Sequence, residues 1–173
     1  MREADNIFLQ KQGESYTSFV SKTYLCTTYF FKGDYDQAMT EGNKAIEMGR
    51  KLKLEDGPDL IAALEHIGLS LTRKGKAREG EPILRESLER VRKNQLTETP
   101  LVEGALGECL TAQTKFAEAE PLIVKSYDAL KARQGEKGPQ IAMAGKRAVE
   151  LYEKWKKPEL ANKYRATLPQ NPK

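Results

Sequence analysis

The feature that most constrains this chain is a spacing. Pro58, Pro100 and Pro139 each open a run of apolar residues and lie 42 and then 39 residues apart, while the small residues Ala38, Gly80, Ala119 and Ala161 follow one another at 42, 39 and 42. Two independent markers share one period, so the chain is built from a repeated unit rather than around one irregular core. The clearest copy is PDLIAALEHIGLSLTRKGKAREGEPILRESLERV, residues 58 to 91. There Ile61, Leu64, Ile67, Gly68 and Leu71 fall at three- and four-residue steps, Gly75 interrupts, and Gly80, Ile83, Leu84, Ser87, Leu88 and Val91 resume the step. That pattern predicts two helices folded onto each other, one ending near Lys74 and the next beginning near Lys76. Small residues at 68, 80 and 87 let the two axes approach closely, and Ile67, Leu71 and Leu84 fill the space beside the contact. A lone pair of this size leaves apolar faces uncovered, so it must stack on its neighbours.

The period divides the chain into a trailing half-helix of a preceding repeat at 1–14 and units at 15–57, 58–99, 100–138 and 139–173. Ala4, Ile7 and Phe8 form one stripe that Gly13 is expected to stop, and Gln12-Gly13-Glu14 recurs as Gln134-Gly135-Glu136, which places the chain's opening inside a repeat. In the first unit a helix from Phe19 to Lys32 carries Leu25, Cys26 and Tyr29, Gly33-Asp34-Tyr35 turns the chain, and Asp36 to Lys53 forms the partner helix. Asp34 is the expected N-cap there, and Thr99 is expected to cap the helix that Pro100 begins. Pro82 and Pro121 stand several residues inside the second helix of two units, where each should cost a hydrogen bond and bend the helix. Trp155 reads as a plug between the last helices. The architecture expected is an all-α, right-handed α-solenoid of antiparallel helix pairs. Ile7, Phe8, Phe19, Phe30 and Phe31 gather in the opening stretch, which predicts an uncovered apolar edge and self-association through it.

Charge and composition exclude several functions. The 29 basic and 25 acidic residues are dispersed and leave a net charge of only +4, too weak and too scattered for a nucleic-acid surface. No apolar run reaches the length of a membrane span or a signal-peptide core, so the expected setting is cytoplasmic. Arg90, Arg92 and Lys93, like Lys154, Lys156 and Lys157, read as solvated helix ends favoured by the helix dipole, with a phosphate-binding surface as the sharper alternative. Cys26 and Cys109 fall on inner sides of helices as small apolar residues, and His66 is the only histidine. No set of residues has metal-ligand spacing and no polar triad is evident, so neither catalysis, a metal nor a cofactor is expected.

Leu64, Ile67-Gly68, Leu71, Gly80 and Leu84 together resemble the tetratricopeptide repeat (TPR), as do Leu25, Cys26, Tyr29 and Ala38, then Leu106-Gly107, Leu110, Ala119 and Ile123, then Tyr152 and Ala161. Lys22, Glu103 and Gly145 depart from the bulky first position of the pattern, and Gly42 and Arg165 from the large apolar position of the second helix. The long period is similar to the kinesin-light-chain-like subclass. Residues 63–88 and 151–168 look like C-terminal arrays of bacterial signalling proteins such as serine/threonine kinases, although the glycine loop, HRD and DFG of a kinase are absent. The resemblance implies a concave groove, lined by the first helix of each unit, that holds a peptide or partner protein. Carried over by position, the groove comprises Val20, Thr23, Thr27, Phe30 and Phe31; Ala62, Glu65, Leu69, Thr72 and Arg73; Leu101, Gly104, Glu108, Thr111 and Ala112; and Met143, Lys146, Glu150, Glu153 and Lys154. It grades from aromatic to charged, although Phe30 and Phe31 would equally serve to pack against an upstream repeat. Thr23, Thr27, Leu101 and Ala105 stand where a chaperone-type carboxylate clamp needs Lys, Asn and Arg, which disfavours that ligand. The implied function is a non-catalytic interaction scaffold within a larger signalling protein. The alternative is a peptide-sensing domain that regulates an attached kinase or transcription factor.

Overall fold

The computed structural model describes residues 2–54, 56–134 and 138–169, with side chains described at 16–54, 56–133 and 138–169. Eight helices account for nearly all of these residues: α1 (Arg2–Lys32), α2 (Tyr35–Lys51), α3 (Pro58–Arg73), α4 (Ala77–Lys93), α5 (Thr99–Ala112), α6 (Phe116–Gln134), α7 (Pro139–Lys154) and α8 (Pro158–Arg165). Each helix packs on the one before and the one after it. In addition α1 touches α3, α3 touches α5 and α5 touches α7, whereas no even-numbered helix touches another among the described residues. The odd helices therefore form a tight inner layer and the even helices a splayed outer one, which is a solenoid of antiparallel pairs.

Local chemistry sets the period. At every turn from an inner to an outer helix the backbone closes in the same way: the N–H groups of Asp34, Lys76, Lys115 and Lys157 donate to the carbonyls of Tyr29, Leu71, Leu110 and Tyr152 at 2.8 to 3.0 Å. The residue before each donor has a left-handed backbone, with φ of 80° at Gly33, 79° at Gly75, 60° at Thr114 and 58° at Lys156. This ending satisfies the carbonyls that the last helical turn leaves unpaired. Two of the four positions are glycine and two are not, so only the first two turns announce themselves in the sequence. Asp34 caps α2 as expected, its carboxylate accepting from the Gln37 N–H at 3.1 Å.

Close crossings then lock each pair. A Cβ placed on Gly80 would stand 2.5 Å from the Gly68 carbonyl oxygen, and one on Gly68 would stand 2.5 Å from Leu84 Cγ. In the next pair a Cβ on Gly107 would meet Ile123 Cγ1 at 2.4 Å. Two of the departures from the repeat pattern also find their reasons here. Gly42 is small because Ile67 of α3 reaches within 2.8 Å of where its Cβ would be. Glu103, only 1% exposed, is held by Arg92 and Lys125, both at 2.8 Å.

Several local expectations are corrected. Gly13 does not stop a helix, because α1 runs unbroken from Arg2 to Lys32; an interior glycine costs about 1 kcal/mol but keeps its N–H, so the hydrogen-bond ladder survives it. Thr99 lies inside α5 instead of capping it, and its hydroxyl donates to the Leu96 carbonyl at 2.7 Å while Glu98 takes the cap position. By contrast, Pro82 and Pro121 lie inside α4 and α6 as expected, the sixth residue of each. Phe19 is buried rather than part of an open edge, because it packs with Ala45, Leu60, Ala63 and Leu64 in a second apolar cluster beside the main core. Ile7 and Phe8 lie outside the residues whose side chains are described. Among the described residues no helix is long and apolar enough to cross a membrane.

Candidate functional site

The inner layer of odd helices has two chemically different halves. At the α1–α3 end, Phe30 is 2% exposed beneath a lid of downstream groups: the His66 ring at 4.8 Å, the Tyr35 ring at 6.0 Å and the Arg73 guanidinium 4.6 Å above its face. Its neighbour Phe31 meets Phe30 edge-on at 5.3 Å and His66 at 5.7 Å, yet remains 68% exposed. His66 Nδ1 lies 3.4 Å from the Thr27 hydroxyl. Burial drives the imidazole down to about 4, with the nearby charges of Arg147 and Arg73 acting in the same direction, so the ring is neutral near pH 7. His66 is an aromatic wall, not a cation.

From Arg73 the contacts continue as ions. Its Nε donates to Glu108 Oε1 at 3.0 Å, and Arg147 Nε donates to Glu108 Oε2 at 2.8 Å. A ladder thus runs across all four inner helices, Phe30 on α1 to Arg73 on α3 to Glu108 on α5 to Arg147 on α7. Burial alone would raise the Glu108 carboxyl, but the charges of Arg147 and Arg73 and their hydrogen bonds outweigh it and hold it below the usual range. Arg147 is 4% exposed, and both its Nη atoms are buried without a hydrogen-bond partner among the described residues. Gly104 makes room for it, since a Cβ there would stand 2.8 Å from Nη1. Glu65 lies within range of the same guanidinium and is 8% exposed. Burial pushes its carboxyl up to about 7, with Arg147 pulling it down and Glu108 pushing it further up.

Beside this ladder opens a recess of about 450 Å3, lined by Thr72, Arg73, Glu108, Ala112, Met143, Lys146, Arg147, Glu150 and Lys154. Lys154 reaches Glu150 at 2.7 Å, one helical turn away. Eight residues expected in the groove, Thr72, Arg73, Glu108, Ala112, Met143, Lys146, Glu150 and Lys154, therefore converge on one recess. Thr27 and Phe31 converge on His66 at the other end of the face.

Several other expected groove residues are placed differently. Phe30 and Leu69 are buried in the main core, Thr23 is buried with its hydroxyl donating to the Phe19 carbonyl at 3.3 Å, and Val20 packs on the second cluster. Phe30, Leu69 and Thr23 do not line an open groove, because inner helices that touch one another seal the positions between them. Phe30 is covered by α3, on its downstream side, which removes any need for an upstream repeat to bury it. Glu65 sits behind the ladder rather than on it. Arg147 escaped the reading by position, although it lies 39 residues after Glu108, the same step that separates Pro100 from Pro139. A buried arginine flanked by Ala144, Gly145 and Ala148 was the available signal.

No family model matches the chain, and no curated protein matches it. Solved structures do. BtubC (BKLC) from P. vanneervenii superposes with a TM-score of 0.66 at 16% identity, over 88% of this chain and 66% of that one. The nearly identical TPR-like repeats of a kinesin light chain-like protein from Podosopora anserina superpose with a TM-score of 0.69 at 13% identity, over 85% of this chain and 72% of that one. A point variant of the latter gives 0.69 and 13%, over 85% and 71%. The chain thus spans about two thirds of BtubC. At such identities the likeness is one of fold, and the fold of this chain is that of the TPR-like helical-repeat solenoids.

Proposed function

We propose that the chain is a non-catalytic protein-interaction scaffold that takes an extended peptide, or an extended segment of a partner protein, along the inner layer of odd helices. The observation that carries this reading is the continuity of the face: exposed Phe31 at one end, the Arg73–Glu108–Arg147 ladder through the middle, and a recess of about 450 Å3 at the other. A surface that offers an apolar anchor, fixed polar groups and a concave recess in a row is what an extended segment needs to bind in one register. Membership of a larger signalling protein is the finer form of the proposal and rests on the sequence resemblance. Selection of a displayed peptide library on the folded chain tests the reading. Enriched peptides should lose binding to Phe31→Ser and Lys146→Glu but retain it on Arg78→Glu, at the outer turn. Peptides that respond only to the outer-turn substitution overturn the inner face as the binding surface.

A further inference from the structure

We propose that the recess between α3, α5 and α7 receives a phosphoryl dianion, carried on a serine or threonine side chain of the bound segment. The inference rests on the peptide-binding reading above and adds its ligand chemistry. Four cations line the recess, Arg73, Lys146, Arg147 and Lys154, against two carboxylates, Glu108 and Glu150. Both carboxylates are already engaged, Glu108 by two arginines and Glu150 by Lys154. Two positive charges are left over. One is identifiable as Lys146, which is exposed and makes no ion pair among the described residues.

The other excess is at the floor. Arg147 spends only Nε on Glu108 and keeps its buried Nη atoms unpartnered. Glu65, the other carboxyl in range, does little to neutralise it, because burial holds that group at about 7 and a substantial fraction is uncharged near neutrality. A buried charge is poorly screened by water or salt, so Arg147 projects a field into the recess without touching the ligand first. Contact falls to the rim: the Arg73 guanidinium, which is one-third exposed, and the Lys146 and Lys154 ammonium groups. Three donors on two helices match the three terminal phosphoryl oxygens. A carboxylate offers two oxygens and a single charge, and would leave one positive charge unmatched. A phosphorylated lipid in a bilayer is disfavoured by shape, since the recess lies on the inner layer of the solenoid and a flat surface cannot reach it.

Calorimetric titration of the full chain with acetyl-Ala-phosphoserine-Ala-amide, its serine and glutamate counterparts, and inorganic phosphate tests this. The phosphoserine peptide should bind about tenfold or more tighter than the glutamate form, and the serine form should not bind measurably. Lys146→Gln should weaken the phosphoserine complex several-fold while Lys146→Arg restores it, and Lys76→Gln at the outer turn should leave it unchanged. These lysines are exposed, so the substitutions leave folding intact. Equal affinity for the glutamate and phosphoserine peptides, or indifference to Lys146→Gln, overturns the inference, and peptides selected on the inner face by library would then leave the scaffold reading standing. Inorganic phosphate binding as tightly as the phosphopeptide, with the same Lys146 dependence, supports the phosphoryl receptor and counts against the peptide reading.

Discussion

The first and second halves of this solenoid solve the same packing problem with different chemistry. Across α1 to α4 the inner contacts are aromatic and neutral, Phe30 against His66 and Tyr35, and the turns from inner to outer helix use Gly33 and Gly75. The α3–α4 crossing sets glycine against glycine, Gly68 on Gly80. Across α5 to α8 the inner contacts are ionic, the turns place Thr114 and Lys156 in left-handed backbone, and the α5–α6 crossing sets Gly107 against Ala119. Arg73 belongs to both halves, stacking on Phe30 and pairing with Glu108. The comparison teaches that the repeat specifies where helices cross and turn, but not what fills the inner face. The first half is held by burial of area. The second leaves the buried guanidinium of Arg147 incompletely paired on the inner face, which weakens it as a core and leaves it free to meet a ligand.

The sharpest way to probe the first half is Phe30→Ala, which should lower stability by about 3 to 5 kcal/mol by opening a cavity under Arg73 and His66. Denaturation in urea at pH 8, where the imidazole beside it is neutral in the folded and unfolded chains alike, should show that loss in full; an unchanged midpoint would mean that Phe30 does not hold the aromatic half together. Next come the crossings. Gly80→Ala should cost about 1 to 3 kcal/mol because its new methyl meets a backbone oxygen, and Ala119→Leu should cost a similar amount in the second half. An unchanged midpoint for either would break the equivalence of the two crossings.

The ionic half should reveal itself through pH. Glu65 is held at about 7 in the folded chain, above the ordinary 4.5, so the folded state keeps a proton that the unfolded state releases between those values. The stability this group confers is therefore full below pH 4.5 and lost as pH rises through 7. Glu65→Gln should accordingly stabilise the chain by about 1 to 2 kcal/mol at pH 8 and by nothing at pH 4. A stabilisation that is equal at both values would show that burial, rather than proton binding, governs the site. The smallest effects belong to the turns: Gly75→Ala should cost about 1 kcal/mol, and Thr114→Gly should gain about half as much, by relieving left-handed backbone. If Thr114→Gly destabilises, the threonine side chain contributes more at its turn than its backbone conformation costs.

Much of the fold was legible because it depends on short-range rules. The apolar steps from Ile61 to Leu71 and from Ile83 to Val91 follow helical geometry, and the spacing of Ala38, Gly80, Ala119 and Ala161 reports contacts within one pair. Turns were legible only where glycine occupies them; Thr114 and Lys156 adopt the same backbone without a residue that signals it. The rim of the recess was legible, since every lining residue but Arg147 follows from the groove positions of separate units. Phe30, Thr23 and Leu69 were misplaced for a common reason: which side of an inner helix faces the open groove depends on how far successive units rotate, and no single unit encodes that angle. The sequence by itself determined that these residues make stacked helix pairs of a given length, because helix periodicity, breakers and close crossings are properties of neighbouring positions. Tertiary structure alone decided that Arg147 would lie buried over Gly104 with two unpartnered nitrogens and that Glu65 would share its field, because those groups come from three units and meet only when the units stack.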